Sequence, residues 1–286
     1  MIIAAAPRPK QPVAGPVLRL LVKIVVTLGL LGLLASKVNL RAVGARIGDI
    51  GFASYAVCIL ATLLLTVLVA WRWHLILVRM RSPVAYVEGW RLVLIGLFFN
   101  QILPSGIGGD AVRVWLLTRG GSRLRTAFFS VAADRIFALG AVILCMAGFL
   151  PLLIHGPAKW PVILLTGAGA LGIAALFVLP RVLGILVRYL PGKLYQAGGK
   201  LLDRGLDLVR EFAAVLRLIL VSRPEGPAVI GISVANQIVL GWIVYFIARR
   251  LHVEIGLITD IALFSPAMLL SMMPISLGGW GVREAA

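Results

Sequence analysis

The sequence is poor in acidic residues, in cysteine and in histidine. It holds 11 Asp and Glu against 28 Lys and Arg, with 2 Cys and 3 His among 286 residues. Cys58 and Cys145 both lie inside apolar runs, where they predict small packing residues in separate helices rather than a disulfide. His74, His155 and His252 are scattered near the ends of such runs. We therefore expect no metal site and no cofactor.

Charged residues of either sign are also scarce, at 14% against 60% hydrophobic residues. Several apolar runs approach or exceed the roughly 18 to 20 residues that cross a bilayer. This excludes an ordinary soluble domain and predicts an all-α, polytopic transmembrane helical bundle. The net charge of +17 would suggest nucleic acid in a soluble protein. Here the basic residues lie mostly between apolar runs, so we expect membrane lipids and no nucleic acid as partners.

The apolar runs predict seven membrane spans and one half-helix. Residues 1–16 form a flexible basic tail, and residues 17–286 form the membrane domain. The second span ends at "WRWH", whose tryptophans suit an interfacial belt. Apolar and charged residues alternate at helical spacing over 192–221, which predicts an amphipathic helix at the membrane surface. The predicted spans are 17–35, 50–70, 84–103, 126–154, 160–180, 227–248 and 256–273, with the half-helix at 105–118.

The distribution of basic residues predicts the orientation of these spans. Residues 181–223 hold eight Lys and Arg, and the N-terminal tail is basic, so both should be cytoplasmic. Residues 155–159 should then lie outside, and the segment 105–118 must be re-entrant. The basic connector 36–49 would lie outside and fits the rule poorly. We expect a bacterial inner-membrane protein with a cytoplasmic N-terminus.

One motif occurs twice, as PSGIGGDAVR at 104–113 and as PISLGGWGVR at 274–283. Both copies obey P-x3-GG-x2-VR, and each follows an apolar span. Two unrelated helix breaks in a glycine-rich membrane protein would explain the pair. The alternative that we favour is an internal duplication, with one broken helix in each of two inverted halves.

A broken helix at membrane depth would create an anion site. The proline ends the preceding helix, and the glycines permit a tight turn. The next half-helix points its positive end into the membrane, where free N–H groups suit a lipid phosphate. Arg113 and Arg283 could add charge, and Asp110 could pair with Arg113 three residues on. Shallow half-helices with interfacial charges remain the alternative.

Other polar residues lie within or beside apolar runs. Asp134 and Arg135 are about eight residues into the fourth apolar segment, where a functional or an interfacial role fits. Glu88 and Arg91 could pair inside the third span or at its mouth. Two amide pairs could line a polar path or form interhelical hydrogen bonds. These amide pairs are Asn100 with Gln101 and Asn236 with Gln237.

The chain resembles the lysylphosphatidylglycerol synthase transmembrane-region family, also described as flippase-like. The resemblance rests on "NQILPSGIGGDAVRVWLL", "SVAADRIFAL" and "PISLGGWGVREA", and it covers most of the chain from about residue 17. Relatives include membrane halves of aminoacyl-phosphatidylglycerol synthases, which move modified lipids between leaflets, and stand-alone proteins linked to glycolipid or hopanoid transport. Members usually continue past the last motif, so we expect the native chain to extend beyond Ala286. The resemblance implies as motif positions Asn100, Pro104, Gly108, Gly109, Asp110, Arg113, Asp134, Arg135, Gly278, Gly279, Gly281, Arg283 and Glu284.

These features predict an integral membrane lipid flippase or lipid-transporter-like protein, and not an enzyme. The headgroup would pass through a polar cavity between two half-helices while the acyl tails stay in lipid. Two alternatives stay open: a non-transporting scaffold that binds a lipid-synthesis enzyme, and a membrane-embedded lipid-modifying enzyme. The candidate lipid-binding residues are Asn100, Gln101, Pro104, Gly108, Gly109, Asp110, Arg113, Asp134, Arg135, Gly278, Gly279, Arg283 and Glu284.

Overall fold

The apolar runs fold into helices, as the sequence predicts. A computed structural model describes residues 50–82, 84–102, 108–153, 159–188, 200–253, 256–261 and 264–265, with residues 25, 29 and 32. Within these ranges all regular secondary structure is helical, which confirms the all-α class. The helices are α1 (Phe52–Arg79), α2 (Tyr86–Ile102), α3 (Gly108–Arg119), α4 (Leu124–Leu153), α5 (Lys159–Arg188), α6 (Lys200–Val221) and α7 (Glu225–Arg250), followed by helical residues 257–261.

Three of the described helices are long and apolar enough to cross a membrane. They are α1, α4 over Leu124–Pro151, and α7. A shorter apolar stretch, Val162–Val178, lies within α5. Helix α1 continues to Arg79, well past the predicted end of the second span at residue 70. The charge in "WRWH" does not end the helix, because Arg72 is paired inside the bundle.

Helices α2 and α3 form an antiparallel hairpin. Helix α3 has 12 residues and is therefore about 18 Å long, whereas the bilayer core is about 30 Å thick. The Ser82 and Ser122 hydroxyl oxygens, which flank the hairpin, are 2.8 Å apart. Helix α3 thus returns to the end at which α2 begins, which is the geometry that a re-entrant half-helix requires. The turn at 103–107, with Pro104, lies outside the described residues.

Two glycines bring the helices of this hairpin into close contact. A Cβ atom at Gly109 would overlap the carbonyl oxygen of Gly96, and one at Gly96 would lie 2.7 Å from the Arg113 Cδ atom. The Gly109 N–H donates to Asn100 Oδ1 at 2.8 Å. The glycines are therefore needed for the close approach of the two backbones. One N–H group near the start of α3 is already hydrogen-bonded to Asn100.

Helix α1 contributes to both of the main apolar clusters. One cluster joins α1 to α2, α3 and α4, and the other joins it to α4, α6 and α7. Trp73 belongs to the first and is completely buried, and its Nε1 atom donates to Ser130 Oγ at 3.3 Å. The interfacial position predicted for the tryptophans of "WRWH" is therefore wrong for Trp73. Trp71 is 49% exposed.

Helix α6 is amphipathic, as its spacing predicts. Leu206, Leu216 and Ile219 are buried on one face, whereas Asp207 and Arg210 are exposed. Residues 192–199 of the predicted element lie outside the described residues. Its position in the membrane surface stays a prediction.

The second copy of the repeated motif, at 274–283, lies outside the described residues, as do the tail 1–16 and nearly all of the first span. The inverted duplication therefore stays a prediction.

We predict that Gly109→Ala destabilises the protein by about 1–3 kcal/mol, because the added methyl group overpacks the α2–α3 contact. Gly89→Ala is the matched control, since a Cβ atom there meets nothing within 4 Å. Thermal unfolding in detergent measures both. Equal unfolding temperatures for the two variants would contradict the close contact.

Candidate functional site

The buried carboxylate of Asp134 joins three helices. Its side chain, on α4, is 3% exposed. Arg72 Nε, from α1, donates to Asp134 Oδ1 at 2.7 Å. Arg113, from α3, donates to Asp134 Oδ2 from Nη1 and Nη2 at 3.3 and 3.4 Å. A single acidic side chain therefore holds two guanidinium groups from different helices.

A second carboxylate, that of Asp110, extends the cluster. Arg135 donates to it from Nε at 2.6 Å and from Nη2 at 2.9 Å, which is the bidentate geometry of a strong pair. The predicted Asp110–Arg113 pair is confirmed but longer, at 3.5 Å. Sequence spacing predicts only the weaker partner, Arg113, because it lies on the same helix as Asp110. The stronger partner, Arg135, lies on another helix.

Arg113 is enclosed by this cluster. Its Cζ atom lies 4.1 Å from the centroid of the Trp73 ring, which adds a cation–π contact. The residue is 4% exposed. The guanidinium is thus held between the indole face and two carboxylates, with little surface left for a ligand.

The cluster carries an excess positive charge. Three guanidinium groups, of Arg72, Arg113 and Arg135, meet two carboxylates, which leaves one net positive charge. The side chains of Arg72 and Arg113 are 4% and 5% exposed, whereas that of Arg135 is 47% exposed. Arg135 is therefore the cationic group of the cluster that an incoming anion can reach.

A cavity of about 220 Å³ lies beside the cluster, between α1, α2, α3, α4 and α7. One part of its wall is polar and the remainder is apolar. Among the polar groups, Asn236 Oδ1 is buried without a hydrogen-bond partner. The polar lining consists of Arg72, Asn100, Asp110, Arg113, Asp134, Arg135, Ser233, Asn236 and Gln237.

The sequence of this chain matches a known protein family. The family model described as "Lysylphosphatidylglycerol synthase TM region" matches residues 20–286. The chain belongs to this lysylphosphatidylglycerol synthase TM-region family. No curated protein and no solved structure matches it. The family match confirms the resemblance found in the motifs, and it extends over all seven described helices of this family member.

The structure brings together most of the described candidate residues of this lysylphosphatidylglycerol synthase TM-region protein. Asn100, Asp110, Arg113, Asp134 and Arg135 all line the cavity. Gly108 and Gly109 begin α3 beside them, and the amides Asn236 and Gln237 also face the cavity. Gln101 is exposed and is not among the lining residues, and Glu88 pairs with Arg91 at 3.2 Å on an exposed surface. The candidates outside the described residues are Pro104, Gly278, Gly279, Gly281, Arg283 and Glu284.

Sequence reasoning missed Arg72, Ser130 and Ser233. Arg72 Nη1 donates to Ser233 Oγ at 3.3 Å, so Arg72 joins α7 to the cluster. Arg72 could have been recognised in the sequence as a lone arginine that interrupts an apolar run. Ionisable residues inside membrane helices usually face partners in the bundle. The two serines had no such signal, since single hydroxyl groups are common in membrane helices.

We predict that Asp134→Asn destabilises the family member by about 3–5 kcal/mol, because it leaves buried Arg72 and Arg113 short of a counter-charge. Glu88→Gln is the control, since its ion pair is exposed and contributes about 0–1 kcal/mol. Thermal unfolding in detergent ranks the two. A stable Asp134→Asn protein would show that this carboxylate is dispensable for the fold.

Proposed function

We propose that this protein moves a lipid with a phosphate-bearing headgroup between the leaflets of a bacterial inner membrane. The observation that carries the proposal is the half-exposed Arg135 side chain, which lines a 220 Å³ cavity within a bundle of apolar helices. A guanidinium presents two parallel donors to phosphate oxygens, so phosphate is the headgroup chemistry that fits it. Membership of the family supports a lipid as the substrate class.

The charge balance favours a ligand over a purely structural clamp. A charge at the centre of a bilayer costs about 2.5–3.5 kcal/mol on insertion scales. A clamp would minimise this cost by pairing every charge, whereas this cluster keeps one guanidinium in excess. Asp110 and Asp134 are the acidic residues in the described cavity lining. An anionic headgroup would supply the missing counter-charge during passage, with no covalent chemistry required of the protein.

The proposed path follows the wall of the cavity. The headgroup passes along Arg135 and the amides Asn100 and Asn236, while the acyl tails stay in lipid. Helix α3 acts as a re-entrant half-helix in this proposal. We propose a structural role for Arg113 in place of the predicted phosphate contact, because the residue is enclosed: it fixes α3 against α1 and α4.

We predict that Arg135→Gln slows lipid translocation by roughly tenfold to a hundredfold, because hydrogen bonds to charged groups contribute about 1.5–3 kcal/mol. Arg135→Lys should recover part of the rate, since lysine keeps the charge but not the bidentate contact. Arg125→Gln is the control, an exposed arginine of the same helix that pairs with Glu211 at 2.8 Å. The measurement is translocation of a labelled phospholipid in liposomes.

Unfolding temperatures of the same variants separate transport from folding. A wild-type rate in a folded Arg135→Gln protein would overturn the proposed phosphate contact, and equal slowing by Arg125→Gln would assign the effect to surface charge.

One basic end of the bundle supports a proposed orientation. The end of α1 meets the start of α7 through Arg79 and Glu225 at 4.0 Å, and Ser82 meets Ser122 at the same end. Because cytoplasmic loops are enriched in Lys and Arg, we propose that this end is cytoplasmic. The residues of this arginine-rich end are Arg79, Arg81, Arg119, Arg123, Arg125 and Arg223.

We predict that single cysteines at Arg123 and Gly205 are labelled from the cytoplasm, and that one at residue 157 is labelled from outside. Position 123 is chosen instead of 121 because Gly121 has a φ of 96°, a conformation that favours glycine and would be strained with cysteine. The background lacks both native cysteines. External labelling at position 123 would contradict the proposed orientation.

A further inference from the structure

A second, apolar recess opens on the outside of the bundle. It has a volume of about 130 Å³ and lies between α4, α5, α6 and α7. Its floor includes Phe137 and Leu216, which are 8% and 1% exposed. Its rim includes Leu144 and Leu220, which are 54% and 39% exposed. The recess, which we call the α4–α7 crevice, therefore connects the packed interior with the exposed apolar surface of the bundle.

A cation lies at the edge of this crevice. The Arg217 Cζ atom is 5.5 Å from the centroid of the Phe177 ring, and Phe177 lines the crevice. No carboxylate of the described part of the chain lies within salt-bridge distance of Arg217. A guanidinium on an aromatic face keeps its in-plane N–H groups available for an anion. Arg217 is thus an exposed cation with free donors beside an apolar recess.

We propose that the α4–α7 crevice and Arg217 together bind one membrane phospholipid. The phosphate group is held by Arg217, and a segment of one acyl chain occupies the crevice. This site is distinct from the charged cavity and does not depend on the proposed transport. The two are neighbours, because Ser233 lines both of them.

The size of the crevice limits what enters it. A dry apolar cavity of about 150 Å³ is known to hold a benzene molecule, so 130 Å³ accepts a short chain segment and not a whole chain. The rest of the chain continues past Leu144 and Leu220 into the bilayer. A diacyl phospholipid meets both requirements, since it carries a phosphate at one end and a flexible chain at the other.

The two parts of the site have different energetic roles. A chain that moves from lipid into the crevice gains no hydrophobic energy, because lipid tails are as apolar as leucine. It does fill a space whose lining would otherwise lack packing contacts. Selectivity for a phospholipid therefore has to come from the charge-assisted contact between Arg217 and the phosphate.

The test is photo-crosslinking in nanodiscs, with the full chain and a phosphatidylglycerol that carries a diazirine in one acyl chain. We expect saturable labelling of peptides that contain residues 136–144 and 173–177. Gly140→Leu should abolish this labelling because its side chain fills the crevice, where a Cβ atom meets only Ile173 at 3.8 Å. Labelling at Leu171, which lies on the surface and is 75% exposed, should be non-saturable and unchanged.

Arg217→Gln tests the phosphate contact without altering the crevice. It should weaken labelling by the phosphatidylglycerol probe and leave labelling by a matched diacylglycerol probe, which lacks phosphate, unchanged. The control is Arg210→Gln, an arginine of the same helix that pairs with Asp207 at 3.0 Å. Non-saturable labelling of the crevice peptides, or equal effects of Arg217→Gln and Arg210→Gln, would overturn the proposed site. Translocation rates of the same proteins are read separately, so loss of this site and loss of transport are distinguishable.

Discussion

The bundle depends on the sharing of the Asp134 carboxylate between Arg72 and Arg113. These two arginines come from α1 and α3, so one acidic group determines how a long membrane-crossing helix meets a half-helix too short to cross. Trp73 and the glycine contact between α2 and α3 cover one side of this cluster, and the cavity lies on another side. Burial raises the cost of removing any partner, because removal leaves a buried charge without its counter-charge.

Two guanidinium groups would balance the charge of the two carboxylates and suffice to hold the helices together. The cluster contains a third guanidinium group, that of Arg135, which gives it an excess positive charge. Arg135 satisfies Asp110 in bidentate geometry and still has about half of its side chain exposed. The fold thus separates two uses of arginine. Arg72 and Arg113 are enclosed and hold helices together, whereas Arg135 presents charge beside a cavity. A lipid phosphate is the anion that a membrane offers in abundance, which connects this asymmetry to the proposed transport.

Much of the fold could be predicted from the sequence, because long apolar runs specify membrane helices and the glycine pair at 108–109 indicates the start of a separate short helix. The motif residues Asp110 and Arg113 were recognised for the same reason: charge is rare in such runs. The pairings were less predictable. Local spacing pointed to Asp110–Arg113, whereas Asp110–Arg135 and Arg72–Asp134 join residues far apart in sequence. The sequence predicts an interfacial Trp73 because it shows the polarity of a residue and cannot show which face of a helix is covered.

The most direct test of the central claim is the selectivity of the purified protein for anionic phosphatidylglycerol over zwitterionic phosphatidylcholine, measured by native mass spectrometry. Three proteins form a charge series in the cavity: Arg135→Gln is neutral, the wild type has one net positive charge and Asp110→Asn has two. The account predicts that selectivity for the anionic lipid rises in that order. The same selectivity in all three folded proteins would contradict the claim that the excess charge of the cluster recognises a headgroup.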